Sequence, residues 1–277
     1  MHYYIVDPQN LNQRQFARVQ TQLYSCLSEY RINGETSRVT SLRTVPQLTD
    51  HAISHGAKTL VAVGADDTLI DLINALKGRE AVIGYIPLFE TEVGSILGIT
   101  DVDSGCKIIA LRRIAMLDLG IVNQTAFLTK LSFGVNLPKP RTFNLGMLRQ
   151  LFSLPTFEVK FSTSDYSAVL QVVGGQIING RGPICKKLLA SPMDGILDVL
   201  LLPKLAPWTM VKFRKYIMNG CFDQIPGSSL VHLNRLEISS PEGLPLRIGN
   251  HIVAKTPATV EVMPKALKMI VGKDRIF

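Results

Sequence analysis

With 277 residues, 46% of them apolar and 19% charged, the chain is longer than one ordinary domain and has the composition of a folded globular protein. Two domains are therefore expected, and a disordered polypeptide is excluded. No stretch approaches the roughly 20 consecutive apolar residues of a membrane-spanning helix, and the opening MHYYIVDPQN lacks the basic start and long apolar core of an export signal, so a cytoplasmic protein is expected.

The formal charge of +8 is compatible with an anionic partner, namely nucleotide phosphates, an acidic lipid surface or nucleic acid, and equally with solvated surface cations. Cys26, Cys106, Cys185 and Cys221 form no C-x-x-C pair, which argues for reduced core residues over a zinc site or disulfide framework.

The first part of the chain alternates strands and helices. His2 to Val6 reads as a strand, and Phe16, Val19, Leu23, Leu27 and Tyr30 form a helical stripe that Gly34 closes. Thr44 before Pro46 signals a second helix, with Leu48, Ala52 and Ile53 inward and Gly56 at its stop. Leu60 to Val63 is a buried parallel strand ending at Gly64. Beyond the turn Leu69, Leu72, Ile73 and Leu76 recur at helical spacing, with Thr68 and Asp71 as the capping signal. Ala81 to Ile86 is a further strand closed by Pro87. Such repeated units imply a parallel sheet covered by helices, with ligands at the carboxyl ends of its strands.

The texture changes around Asp118-Leu119-Gly120. From Phe127 onward, Phe157 to Ser162, Tyr166 to Val173, Leu197 to Leu202, Leu230 to Ile238 and Thr259 to Val262 read as strands, interrupted by one helix over Trp208 to Met218. The fold class is α/β: a parallel-sheet domain over residues 1–120 and a β-rich, mostly antiparallel second domain over 121–262.

The turn Gly64-Ala65-Asp66-Asp67-Thr68 resembles the Gly-Gly-Asp-Gly-Thr nucleotide loop of the diacylglycerol kinase and bacterial lipid kinase family, which shares its fold with sphingosine kinases and NAD kinases. Asp7-Pro8 sits where the family has Asn-Pro. Ile86-Pro87-Leu88 with Leu97-Gly98-Ile99 matches the frame of its second glycine-rich loop. Pro192, Asp194-Gly195 and Leu197-Asp198-Val199 resemble its Asp-Gly-x-Leu-Asp segment, and Thr256-Pro257 through Pro264-Lys265-Ala266-Leu267 its closing strand pair. The resemblance implies that residues 1–120 form a nucleotide-binding domain to which 263–277 return, and an ATP- and Mg²⁺-dependent transfer of the γ-phosphoryl group to a lipid hydroxyl, with nucleotide and lipid in a cleft between the two domains.

The departures from the family pattern fall where the chemistry would occur. Ala65 and Asp67 replace two loop glycines, which let backbone approach phosphate closely. The second loop reads Phe89-Glu90-Thr91-Glu92-Val93, in which only Thr91 corresponds. The family's late Asp-Gly-Glu, the source of its general base, is here Ile248-Gly249-Asn250. A carboxylate about 4 Å from a phosphate charge costs on the order of 1 kcal/mol in bulk water and about 4 near a protein surface, unless a cation intervenes.

For Asp66, Asp67, Glu90 and Glu92 three readings stand: Mg²⁺ ligands against nucleotide phosphates, a site for a cationic partner, or solvated charges of a retired site. Gly64, Ala65, Asp66, Asp67, Thr68 and Thr91 are the nucleotide-binding candidates, and Asp66 or Asp67 is the base if the protein is active. Asp194 and Asp198 are candidates for a structural metal, or plain turn aspartates. His51 and His55 have the spacing of a metal pair but not the zinc-protease pattern, and read as exposed histidines.

Basic residues gather at Lys186-Lys187, at Lys212, Arg214 and Lys215 beside Trp208 and Phe213, and at Lys265, Lys268, Lys273 and Arg275. Trp208 to Met218 reads as either a membrane-surface helix or a core helix with a basic outer face. No nucleic-acid motif is present, and a homodimer is compatible with the sequence. Two functions follow: a divergent or degenerate lipid kinase acting by ligand binding or regulation, or an active kinase of altered specificity.

Overall fold

A computed structural model describes residues 1–9, 11–76, 78–134, 155–162, 167–180, 190–239, 242–249 and 251–277. Strand β1 (His2–Val6) pairs in parallel with β2 (Gly34–Arg38) and β3 (Thr59–Gly64), and β3 pairs in parallel with β4 (Val82–Pro87). All of β3 is buried, as expected for an apolar run covered on both faces of a parallel sheet.

The helices are α1 (Gln13–Glu29), α2 (Val45–Ser54), α3 (Asp66–Leu76), α4 (Glu92–Leu97) and α5 (Val102–Leu111). Phe16, Leu23 and Leu27 of α1 and Ile109 of α5 share a core with Tyr4, Val6, Val61 and Val63 of the sheet. At the start of α2, Gln47 Oε1 accepts from the Thr44 N–H at 2.9 Å with Pro46 in the first turn.

Two expectations are corrected in this region. Gly34 does not close α1; it opens β2, where a Cβ would collide with the His2 carbonyl oxygen. The chain leaves α1 through Arg31, at φ 56°. Strand β2 escaped the pattern because only Ser37 of GETSR is buried. Thr68 is not the cap of α3, because that helix starts at Asp66 and Thr68 already lies in its first turn.

The chain divides into two compact units, Met1–Asp118 with Lys265–Phe277, and Leu119–Pro264. It leaves the first unit along β5 (Ile114–Val122) and returns along the last strand, whose Lys268 and Met269 lie parallel beside β4. Where that strand re-enters, Lys265 has φ 53° and its N–H donates to the buried Asp118 carboxylate at 2.7 Å.

In the second unit, β6 (Thr125–Phe127) pairs with β5. Strands β7 (Lys130–Phe133), β8 (Phe157–Ser162), β9 (Ser167–Val172), β10 (Gly174–Ile178), β11 (Leu197–Leu202), β12 (Ser229–Leu233), β13 (Arg235–Ser239), β14 (Pro245–Ile248), β15 (His251–Lys255) and the part of the last strand, β16 (Ala258–Ile270), that precedes Lys265 complete it. One sheet runs β16-β13-β8-β9 and the other β12-β11-β10-β7-β14-β15. Side chains of both enclose a core in which Phe133 and Phe157 meet edge-on, with centroids 5.2 Å apart.

Strand β11 is apolar on both faces for a reason. Leu197, Val199 and Leu201 enter this core, while Leu200 and Leu202 pack under Met210 and Ile217 of α6 (Pro207–Lys212) and α7 (Arg214–Met218). The single helix expected over Trp208 to Met218 is thus two, broken at Phe213 (φ −96°, ψ 12°).

The strand expected over Leu230 to Ile238 likewise divides at Asn234. Leu233 and Leu236 are buried with two exposed residues between them. A spacing of three cannot keep one face of a strand inward, and β12 and β13 belong to different sheets. Among the described residues no helix is long and apolar enough to cross a membrane.

Candidate functional site

The carboxyl ends of β1, β3 and β4 bring together Asp7, the turn Gly64 to Thr68, and Thr91. Gly64 is tightly enclosed: a Cβ there would lie 2.5 Å from Thr68 Oγ1 and 3.2 Å from Asp7 Cβ. The buried Thr68 hydroxyl donates to Asp7 Oδ2 at 3.0 Å, while Asp7 Oδ1 accepts from the Gln9 N–H at 3.0 Å. The first turn of α3 is therefore tied to the end of β1 by a side chain that the sequence reading gave to a helix cap.

Asp66 and Asp67 both stand in the first turn of α3, where negative charge is stabilised by about 0.3–1 kcal/mol against the helix dipole. Asp66 does more than that. Its Oδ1 accepts from the Tyr85 hydroxyl at 3.0 Å and its Oδ2 from the Val93 N–H at 3.2 Å. The Tyr85 oxygen also lies 3.3 Å from Thr91 Oγ1, which accepts from the Gly94 N–H at 3.0 Å.

Thr91 is the N-cap of α4 and Val93 is in its first turn, so Asp66 and Thr91 together satisfy two orphan donors of that helix. The staple joins the β3–α3 turn to the β4–α4 turn. Burial pushes the Asp66 carboxyl above its ordinary range, against the hydrogen bonds of Val93, Thr91 and Tyr85, which pull it down. The Tyr85 phenol is fully buried, and burial followed by the Asp66 charge raises it, which keeps it a donor.

Sequence reasoning gave Tyr85, Val93 and Asp7 no role at the site. The available signals were a tyrosine inside an otherwise aliphatic buried strand, whose hydroxyl must find a partner, and a carboxylate at the end of a parallel strand. Ala65 is buried, Asp67 and Glu92 are partly buried, and Glu90 is exposed.

The other candidates lie in the second unit. Ile248 ends β14, partly buried, ahead of Gly249 at φ 57°, and Asn250 lies outside the described residues. The described part of the β14–β15 hairpin carries Arg247, His251 and Lys255 and no acid. Asp194 Oδ1 accepts from the Ile196 N–H at 3.0 Å, closing its own turn. Asp198 faces His232 across the β11–β12 pair, with its Oδ1 2.5 Å from His232 Nδ1. Burial raises the Asp198 carboxyl, and the His232 hydrogen bond and charge lower it. Among the described residues no group of three or more His, Cys, Asp and Glu side chains is arranged to hold a metal ion.

A sequence profile of the YegS C-terminal NAD kinase beta sandwich-like domain matches residues 133–271. The chain belongs to this family. The fold of this YegS-type chain is also that of solved relatives. A diacylglycerol kinase from Bacillus anthracis str. Sterne superposes with a TM-score of 0.77 at 16% identity, over 98% of this chain and 97% of that one. A further structure from that organism, provisionally assigned as a diacylglycerol kinase, reaches 0.78 at 18% identity over the same shares.

An NAD kinase from Archaeoglobus fulgidus, solved in complex with ATP, superposes with a TM-score of 0.56 at 11% identity, over 100% of this chain and 96% of that one. No curated protein matches the chain in sequence. The resemblance to the diacylglycerol kinase and bacterial lipid kinase family, with its NAD kinase kin, is thus supported by profile and by fold.

Proposed function

We propose that this YegS-type protein is a divergent lipid kinase relative that binds nucleotide at the β3–α3 turn and transfers phosphoryl groups weakly or not at all, acting by ligand binding or regulation. The observation that carries this reading is the β14–β15 hairpin. Where the family resemblance calls for a general base, Ile248 offers a side chain that cannot accept a proton, and the described residues of the hairpin carry no carboxylate. Positioned general-base catalysis is typically worth about 10²- to 10⁴-fold, although phosphoryl transfer leans chiefly on positioning and charge neutralisation.

Asp66 is a poor substitute base, because both its oxygens already accept hydrogen bonds from Tyr85 and Val93. Nucleotide binding remains reasonable. The neighbour's ATP complex belongs to the same fold, and Asp67, Glu90 and Glu92 remain as the carboxylates of the two turns. Mg²⁺ needs only one or two such ligands beside substrate phosphates; when bound it would neutralise phosphate charge next to this acidic rim. A lipid ligand would be met at an anionic membrane surface.

A thermal-shift titration with Mg-ATP tests the binding half. Nucleotide at about 100 times its dissociation constant should add about 2.7 kcal/mol of stability, and an unmoved melting temperature at millimolar Mg-ATP would refute it.

A further inference from the structure

The helical corner made by α6 and α7 exposes aromatic and basic residues, of which Lys212 and Tyr216 also lie against Phe213, at 5.6 and 6.1 Å from its ring centroid. Met210 and Ile217 seat the corner on β11, with Val211 and Phe213 partly buried beside them. Trp208 and Lys212 of α6, Lys215 and Tyr216 of α7 and Asn219 just after it are exposed. Trp208 is 83% exposed and Tyr216 44%. Lys204, just before α6, is exposed as well. From residue 199 through 222 the chain contains Lys204, Lys212, Arg214 and Lys215 and no aspartate or glutamate. Arg214 is turned partly inward, where it donates to the Val211 carbonyl at 3.1 Å, so the outward charge comes from the three lysines.

We propose that this face docks on the surface of an anionic lipid bilayer, with Trp208 seated at the headgroup level and Lys204, Lys212 and Lys215 against acidic headgroups. A largely exposed tryptophan that adds nothing to the core has both an apolar ring and a polar N–H, the combination that favours the membrane–water interface. The surrounding charge has one sign, which complements an acidic leaflet. The corner is too short to span a bilayer and amphipathic enough to lie on one. The inference goes beyond the proposed nucleotide function and does not depend on it.

Trp208 is the only tryptophan of the chain, so its emission reports this face alone. Titration with vesicles of equal parts phosphatidylcholine and phosphatidylglycerol should shift the emission to the blue and carry the protein into the vesicle pellet. Pure phosphatidylcholine vesicles should do neither. The double variant Lys212→Gln/Lys215→Gln should bind about 25-fold more weakly, at about fivefold per lysine, and binding should fade toward about 1 M salt, where the Debye length is about 3 Å. The proposal is overturned by sedimentation without a change in Trp208 emission, by equal binding to neutral vesicles, or by no binding. A blue shift that follows protein concentration in the absence of vesicles also overturns it, in favour of self-association.

Discussion

Two carboxylates in this molecule are drawn out of water and held by hydrogen bonds, and their partners differ in kind. Asp66, in the first unit, is held by the hydroxyl of a fully buried tyrosine and by a backbone amide at the start of α4. Asp198, in the second, is held by an imidazole whose side chain is 62% exposed. Burial raises both carboxyls. The Asp66 donors are enclosed and cannot be replaced by water, whereas His232 reaches in from solvent. The first arrangement is a fastening between two turns of an α/β unit; the second is a cross-strand pair near a sheet edge, of a kind that contributes modestly.

The contrast is broken most severely by Asp66→Ala. That change leaves the Val93 amide without its acceptor and the Tyr85 hydroxyl with only the longer contacts to Gly64 O and Thr91 Oγ1, and urea denaturation should show a loss of about 3 kcal/mol, from roughly 1–3 per buried group left unsatisfied or poorly bonded. A loss below about 0.5 kcal/mol would mean that the two turns are not fastened through this side chain. Tyr85→Phe removes one donor and keeps the ring, so about 1–2 kcal/mol is expected in the same measurement. For His232→Ala the expectation is about 1 kcal/mol or less, because the imidazole itself is solvent-exposed and water can take its place. If it proves as costly as Asp66→Ala, the two carboxylates do not differ as described.

The smallest effect is one of pH. The folded protein holds the proton of Asp66 to higher pH than the unfolded chain does, so this group favours the fold most at low pH and less as pH rises through its raised value. Against wild type, Asp66→Asn should lack that downward slope in stability measured between about pH 4 and 7.

The strands and helices that bury strong periodic patterns were legible from sequence alone. β1, β3, β4, α1, α2, β8 and β11 each announce themselves by apolar spacing, because tertiary burial and local pattern agree there. What escaped was decided by partners distant in sequence. Strand β2 is a polar edge strand whose only buried side chain is Ser37, and the corner at Asn234 shows only as a spacing of three between Leu233 and Leu236. Thr68 carries the right chemistry for a cap and is used for a bond to Asp7, 61 residues away. The same holds at the candidate site. The acidic turn was visible, but that one of its carboxylates is bonded to Tyr85 and Val93 follows from the pairing of β3 with β4, which no local motif encodes.

Whether the altered turns and the acid-free hairpin still support chemistry separates a working kinase from a degenerate one. The most direct measurement is transfer of the γ-phosphoryl group of ATP to diacylglycerol by the purified full chain with Mg²⁺, alongside Asp67→Asn, which removes the remaining candidate base of the β3–α3 turn. Turnover well below about 1 s⁻¹, the low end for ordinary kinases, with no further loss in Asp67→Asn, is the predicted result. Turnover at or above that value, abolished in Asp67→Asn, would contradict it and make this protein a working kinase with a relocated base.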